Sequence, residues 1–104
     1  MGLDQILSEA QQPIVVFSGR GCPFCRKAEK ALADAKLPFQ VVDYDEDLDD
    51  GDAVRSEIHQ KHKHRSVPAG FVKGKFIGGC NDGPESWMGI IPNVNNGEIA
   101  KMIQ

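Results

Sequence analysis

The sequence predicts an α/β fold in which a mixed four-stranded sheet carries helices on both faces. Strand-like and helical segments alternate along the chain, the first two strands flank a helix, and the last two strands form a hairpin. A strand–helix–strand unit requires a parallel, right-handed crossover, whereas a hairpin adds an antiparallel strand. We expect one domain over residues 1–104, because a chain of this length supports one hydrophobic core.

The spacing of the apolar residues defines each element. A period of three to four residues indicates a helix, and short runs of branched and aromatic residues indicate strands. Gly70 falls inside a predicted strand, where glycine indicates a bulge or a close neighbour. In chain order, the predicted elements are a helix at 3–10, a strand at 14–17, a helix at 23–36, a strand at 39–42, a helix at 52–61, strands at 69–72 and 75–77, and two short helices at 85–90 and 95–103 separated by Pro92.

Composition and charge argue against several classes of partner. The chain is 40% hydrophobic and 26% charged, which is typical of a soluble globular protein, and no apolar run approaches the roughly 18 residues of a membrane span. The net charge is −3, but residues 43–52 include seven acidic and no basic side chains, which leaves about +4 elsewhere. That excess is too slight to indicate nucleic acid. We therefore expect neither a membrane nor a nucleic acid as partner, and we interpret the acidic segment as a solvated loop and helix start.

The number of cysteines indicates whether the protein works in an oxidising or a reducing compartment. There are three cysteines, and an odd number argues against an oxidised structural framework. The first residues carry neither the basic flank nor the apolar stretch of a secretory signal. We therefore expect a reducing compartment, most simply the cytoplasm.

The segment Cys22-Pro23-Phe24-Cys25 follows a predicted strand and opens a predicted helix. Proline suits the first helical position, which places Cys22 at the N-cap, facing the free N–H groups and the positive end of the helix dipole. Thiols in such settings have pKa values of roughly 3.5 to 7.5, so they are largely thiolate at neutral pH. Cys25 lies about one turn further on, close enough to form a small disulfide with Cys22. The pattern indicates a redox-active site.

Two alternatives remain open for this cysteine pair. A structural disulfide is one, although so small a ring at a strand–helix corner favours a labile bond. Half of a zinc site is the other, although structural zinc normally takes four ligands and Cys80 is the only further cysteine. We expect no metal.

Two further segments suggest a binding site. Pro68 follows Val67 and directly precedes a predicted strand. Because proline has no backbone N–H, it cannot donate a hydrogen bond to a neighbouring strand. The segment 78–82 (Gly-Gly-Cys-Asn-Asp) is predicted to end a strand and start a helix, where consecutive backbone N–H groups form an anion site. A glycine turn with Asp82 as N-cap would have the same geometry. We interpret His59, His62 and His64 as a solvated helix end, and Cys80 as a partly buried thiol that could serve as an additional redox site.

These segments together resemble a dithiol glutaredoxin, a family with the thioredoxin-like fold. The resemblance covers residues 14–103 and rests on four stretches: the strand and C-P-F-C motif at 16–25, V-D-Y-D at 42–45, R-S-V-P at 65–68, and G-K-F-I-G-G-C-N-D at 74–82. It implies a glutathione-dependent thiol–disulfide oxidoreductase that reduces protein–glutathione mixed disulfides and protein disulfides. In that reaction Cys22 is the nucleophile and Cys25 the resolving cysteine. It also implies glutathione or a similar thiol as electron donor, no tightly bound cofactor, and a monomer.

The resemblance further implies which residues bind glutathione. Pro68 would follow a cis peptide bond, and the backbone of Val67 would pair with the cysteine of glutathione. Asn81 and Asp82 would hold its γ-glutamyl end. Arg55 and Arg65 would bind the glycine carboxylate of glutathione, and Phe24 would flank the reactive sulfur of Cys22. The implied set is Arg20, Phe24, Arg55, Arg65, Val67, Pro68, Gly79, Asn81 and Asp82.

The sequence departs from the family pattern in one place that matters for the site. The family commonly has a lysine three residues before the first cysteine, where this chain has Gly19, followed by Arg20. We expect Arg20 to supply the missing charge.

Two other functions fit the same pattern. A thioredoxin-type reductase has the same fold, but this chain lacks the expected tryptophan before Cys22 and the glycine-proline pair between the cysteines. An iron–sulfur carrier is a non-enzymatic alternative, which the proline between the cysteines disfavours.

Overall fold

The computed structural model describes residues 2–104 of the chain. Its elements alternate much as the apolar spacing predicts, with boundaries that differ by a few residues at most up to residue 78. In chain order they are α1 (Leu3–Ser8), β1 (Ile14–Ser18), α2 (Pro23–Asp34), β2 (Phe39–Asp43), α3 (Gly51–His62), β3 (Ala69–Val72), β4 (Lys75–Gly78), α4 (Ile90–Asn95) and α5 (Glu98–Met102). No helix within these residues is long and apolar enough to cross a membrane.

The four strands form one mixed sheet in the order β2-β1-β3-β4. β1 pairs parallel to β2, so that Ile14 lies opposite Phe39, and antiparallel to β3, so that Phe17 lies opposite Ala69. β4 completes the sheet as the antiparallel partner of β3. The carboxyl end of β1 therefore meets the amino end of β3, which brings the loop after Ser18 beside the turn that precedes Ala69.

Two hydrophobic cores cover the two faces of the sheet. Successive side chains of a strand point to opposite faces, so Val15 and Phe17 enter one core while Ile14 and Val16 enter the other. The first core is closed by α1 and α3, and the second by α2, α4 and α5. The predicted arrangement, a mixed sheet with helices on both faces, is confirmed.

Gly70 lies at a bulge and has a close neighbour, the two features that a glycine within a strand can indicate. The pairing of β3 with β4 shifts register between Gly70 and Phe71. A Cβ atom at Gly70 would lie 2.9 Å from both Cγ1 and Cδ1 of Ile90, the first residue of α4. The missing side chain therefore lets α4 pack directly against the sheet.

The prediction for the C-terminal helices is wrong in detail. Residues 85–89 form turns, α4 begins at Ile90, and the break between the two helices falls at Gly97 (φ 81°). Pro92 lies in the first turn of α4, where its missing N–H would have had no partner in the helix, so it does not interrupt the helix. Tertiary hydrogen bonds fix the loop instead: the N–H of Gly89 donates to the Ile77 carbonyl (2.8 Å), and that of Ile90 donates to the Gly79 carbonyl (2.8 Å).

Candidate active site

Cys22 occupies the N-cap of α2, as predicted. Its backbone is extended (φ −101°, ψ 103°), Pro23 is the first helical residue, and the N–H of Cys25 donates to Cys22 Sγ over 3.1 Å. Cys22 and Cys25 form a disulfide, with Cα atoms 5.3 Å apart. Cys22 is half-buried, whereas Cys25 has no exposed surface. A molecule in solution can therefore reach the sulfur of Cys22 but not that of Cys25.

The turn before β3 lies against this cysteine pair. The Val67–Pro68 peptide bond is cis, as the family resemblance implies, and the Val67 carbonyl oxygen lies 3.8 Å from Cys22 Sγ. Gly19, on the loop after β1, is buried on the other side of the turn; a Cβ atom there would contact Val67 Cγ2 at 3.4 Å. The turn is thus held between Gly19 and the reactive sulfur.

A groove of about 400 Å³ runs beside Cys22, from the first turn of α2 to the segment that follows β4. Six of the nine residues predicted to bind glutathione line it. The lining residues are Phe24, His64, Ser66, Val67, Pro68, Gly79, Cys80, Asn81 and Asp82. The structure therefore places most of the predicted set on one surface, although residues 24, 64–68 and 79–82 are far apart in the chain.

The segment 78–82 closes on itself rather than starting a helix, so the predicted helix start after Asp82 is wrong. The Gly79 N–H donates to the Asp82 carbonyl over 2.7 Å, and Gly78 adopts a positive φ of 107°. The backbone N–H groups of Asn81 and Asp82 have no acceptor among residues 2–104, and both residues are exposed. Any anion site here therefore rests on two free N–H groups and not on a helix dipole.

Comparison with known proteins identifies the family. The glutaredoxin family model matches residues 14–77, which span the cysteine pair, the turn at Pro68 and most of the sheet. The chain belongs to the glutaredoxin family.

Individual glutaredoxins extend this likeness. A chloroplastic glutaredoxin C4 from rice (Oryza sativa subsp. japonica) is 40% identical over 73 residues, which cover 70% of this chain and 54% of the rice protein. The chain thus spans about half the length of that relative. Among solved structures, the holo form of poplar glutaredoxin C1 (Populus tremula x tremuloides) superposes with a TM-score of 0.78 at 29% identity, covering 96% of this chain and 89% of the poplar chain.

A buckwheat glutaredoxin–glutathione complex is also similar. It superposes with a TM-score of 0.71 at 27% identity, covering 97% of this chain and 89% of the buckwheat chain. These likenesses confirm the thioredoxin-like fold, and the Cys22–Cys25 pair fits a dithiol active site. Glutaredoxins are glutathione-dependent thiol–disulfide oxidoreductases that use glutathione as a cosubstrate and hold no tightly bound cofactor.

The three arginines predicted to contact glutathione lie outside the groove of this glutaredoxin. Arg20 is largely exposed and pairs with Glu46 of the acidic segment at 2.9 Å. Arg55 donates from Nε to the Arg65 carbonyl over 3.2 Å, and Nη2 of Arg65 lies 3.5 Å from His59 Nε2. Arg55 and Arg65 line a second hollow, of about 340 Å³, on the other side of the turn residues. Their roles in binding glutathione stay predictions.

The interpretation of the histidines as a solvated helix end is wrong for His64 and incomplete for His59 and His62, which are half-buried. His62 is half-buried, with its ring stacked 4.7 Å from the ring of Phe76. His64 is 8% exposed and lines the groove, which no pattern in the sequence indicates. The cause lies at Lys63, which ends α3 in a left-handed conformation (φ 57°) and turns the chain inward. No cluster of three or more His, Cys, Asp or Glu side chains in residues 2–104 is placed to hold a metal ion.

Cys80 is more buried than the sequence suggests. It is 6% exposed, packs in the core that α2 covers, and forms part of the groove wall. Burial raises the pKa of the Cys80 thiol above its usual range. At neutral pH it is therefore a neutral thiol and a poor nucleophile.

Proposed function

We propose that this glutaredoxin reduces protein–glutathione mixed disulfides and protein disulfides, with glutathione as the electron donor. The observation that carries the proposal is the position of Cys22: it caps α2 and lies 3.8 Å from the Val67 carbonyl, beside the groove lined by residues 64–68 and 79–82. The buckwheat relative, solved with glutathione, supports the assignment of the groove to that tripeptide.

In the glutathione route, Cys22 reacts as a thiolate. The N–H of Cys25, directed at its sulfur, and the N-terminus of α2 stabilise the negative charge. The thiolate attacks the glutathione sulfur of the mixed disulfide, a Cys22–glutathione disulfide forms, and the protein thiolate leaves and takes up a proton. A second glutathione thiolate then attacks the glutathione sulfur of this intermediate. Oxidised glutathione leaves, and the Cys22 thiolate is regenerated.

Protein disulfides require both cysteines. Cys22 attacks one sulfur of the substrate, which gives a mixed disulfide and one free substrate thiol. Cys25 then attacks Cys22 from inside the protein, releasing the second substrate thiol and forming the Cys22–Cys25 disulfide. Because Cys25 is fully buried, its partner is Cys22 rather than an external disulfide. Two glutathione molecules reduce the pair again.

The groove offers complementary groups to an extended tripeptide. The backbone of Val67 can pair with the cysteine of glutathione in the manner of a short added strand. The free N–H groups of Asn81 and Asp82 suit the γ-glutamyl carboxylate, and the Asp82 carboxylate suits its amino group. Arg20, Arg55 and Arg65 are exposed cations, and we propose that a side-chain movement brings at least one of them to the glycine carboxylate.

We also propose an oligomeric state, a compartment and a class of protein substrate. We propose that the enzyme acts as a monomer, as the family resemblance implies. The free, buried thiol of Cys80 is compatible with a reducing compartment, and we propose the cytoplasm. The substrates are proteins with an exposed disulfide or glutathionylated cysteine, since Cys22 lies at the surface.

The test is steady-state reduction of a glutathionylated peptide by glutathione. We expect Cys22→Ser to lose activity to the uncatalysed background, and Cys25→Ser to retain the glutathione route because that route never uses Cys25. Cys80→Ser is the control for loss of the third thiol. It should stay well above the uncatalysed background, although the position of Cys80 in the groove wall leaves KM open to change. If Cys25→Ser is as inactive as Cys22→Ser, a thioredoxin-like dithiol cycle replaces the proposal. An inactive parent contradicts it outright.

A further inference from the structure

We infer that His64 is a positioning residue for glutathione: it fixes the turn at Val67–Pro68 against Gly79 and so sets the shape of the groove. The inference rests on the proposed function of the groove. Its basis is the environment of one histidine ring that contacts three segments of the groove and is 8% exposed.

The first contact is a hydrogen bond to the turn. Nε2 of His64 lies 3.0 Å from the Pro68 carbonyl oxygen, and both residues are buried. A carbonyl oxygen only accepts, so Nε2 carries a hydrogen and donates it. Removing the donor would leave a buried carbonyl without its partner, which costs more than the bond itself contributes.

The second contact is with segment 79–82, the other stretch of the chain that lines the same side of the groove. A Cβ atom on Gly79 would lie 2.9 Å from His64 Cε1 and 3.3 Å from the Pro68 carbonyl oxygen. The imidazole ring therefore occupies the space that a side chain at Gly79 would take. The ring also lies 5.3 Å from the ring of Phe76, within β4.

These contacts connect His64 with the groups that would bind the substrate. Val67 directly precedes the carbonyl that His64 holds, and its own carbonyl oxygen is 3.8 Å from Cys22 Sγ. A shift of the Pro68 carbonyl moves the Val67 backbone relative to bound glutathione. The charge on Cys22, in contrast, is stabilised by the N–H of Cys25 within α2, which His64 does not touch. Loss of the histidine should therefore weaken glutathione recognition and leave the intrinsic reactivity of Cys22 unchanged.

His62 provides a matched control two residues earlier. It has the same side chain and stacks on the same phenylalanine, with ring centroids 4.7 Å apart. It does not line the groove and makes no hydrogen bond to the turn. When each histidine is replaced by Phe, an aromatic ring remains against Phe76. A defect that follows from the changed ring itself would appear in both variants, whereas a defect in positioning would appear at His64 alone.

The experiment compares His64→Phe, His64→Gln and His62→Phe with the parent. For each protein, kcat and KM are measured with a glutathionylated peptide, and the alkylation rate of reduced Cys22 is measured with iodoacetamide. We expect His64→Phe, which keeps a ring but no donor, to raise KM about fivefold, the effect of one neutral hydrogen bond. Its alkylation rate should equal that of the parent. His64→Gln, whose amide can donate, should recover most of the parent KM, and His62→Phe should have the parent KM.

Three results would overturn the inference: a parent KM in His64→Phe, an equal rise of KM in His62→Phe, or a fall in the alkylation rate parallel to the change in KM. If His64→Phe does not fold, His64→Leu replaces it, and the same outcomes decide. An inactive parent would contradict the proposed function itself, and the inference with it, whereas an active parent with an unaffected His64→Phe contradicts the inference alone.

Discussion

The two walls of the groove are built in different ways. One wall is the start of α2, where Cys22, Pro23 and Cys25 interact within four residues of the chain. The other combines residues 64–68 with residues 79–82, which meet only because β3 and β4 pair and α4 packs against the sheet. The first wall determines how reactive the Cys22 sulfur is, and the second determines which binding groups lie next to that sulfur. Reactivity and recognition should therefore respond to different substitutions.

The strongest test of this separation acts on the second wall from a distance. Gly70→Val would place methyl groups in the space of Ile90, whose backbone N–H holds the Gly79 carbonyl. We expect a loss of about 2 kcal/mol in the free energy of unfolding, as for overpacking in other cores, and a higher KM for the glutathionylated peptide. Denaturant titration and steady-state kinetics measure the two effects.

A double variant provides the control for Gly70→Val. Adding Ile90→Ala makes room for the new side chain, so the destabilisation of the pair should be smaller than the sum of the single effects. The alkylation rate of Cys22 should not change in any of the three proteins. A change in that rate would show that the two walls are coupled.

Gly19→Lys should affect the first wall. A Cβ atom at Gly19 makes an ordinary contact with Val67 Cγ2 at 3.4 Å, so the first atom of a side chain is tolerated there, and the ammonium group of a lysine would add positive charge near Cys22. We expect iodoacetamide to alkylate reduced Cys22 about threefold faster in the acidic range where the parent sulfur is mostly a thiol, and at an unchanged rate where it is already a thiolate, as for a partly exposed charge interaction of roughly 0.5–1 kcal/mol. Gly19→Gln is the uncharged control. A gain that persists in high salt would contradict an electrostatic cause, because salt screens exposed charges.

Cys22 and the buried Cys80 of the reduced protein should differ in reactivity. Burial raises the pKa of Cys80, while the N-cap position of Cys22 favours its thiolate. At pH 7, mass spectrometry of a time course with iodoacetamide should show label on Cys22 well before label on Cys80. In Cys22→Ser the slow label on Cys80 should keep its rate. Equal rates at both sites would contradict the burial of Cys80.

The smallest expected effect concerns His62 and the pH dependence of stability. Burial, and secondarily the neighbouring Lys61, lower the pKa of His62 below its usual range. The unfolded chain therefore binds a proton at this site before the folded protein does. The resulting contribution to stability is present above the unfolded pKa of about 6.5 and is lost as pH falls from there through the lower folded pKa. We expect the Tm of the parent to fall more between pH 7.5 and pH 5 than the Tm of His62→Phe, and identical falls would refute this.

The sequence by itself determined whatever depends on near neighbours in the chain. A strand followed by Cys-Pro-Phe-Cys sets the N-cap geometry of Cys22, because proline at the first helical position and the free N–H groups of one turn act within four residues. Alternation of Val15 and Val16 between two cores follows from the period of a strand. Gly70 likewise indicates a bulge or a close neighbour, and the structure has both.

Only the tertiary structure decided the features that depend on distant residues. The loop at 83–89 has no helix because hydrogen bonds to Ile77 and Gly79 fix it, and such bonds leave no periodic pattern. His64 lines the groove because Lys63 has a left-handed backbone conformation and because Gly79 has no side chain to occupy the space of the imidazole ring. Arg20 pairs with Glu46 and does not line the groove. The spacing of residues along the chain predicts which groups lie together on one helix or strand. The second wall forms only when separate elements pack against one another. Its residues are therefore known only from the tertiary structure.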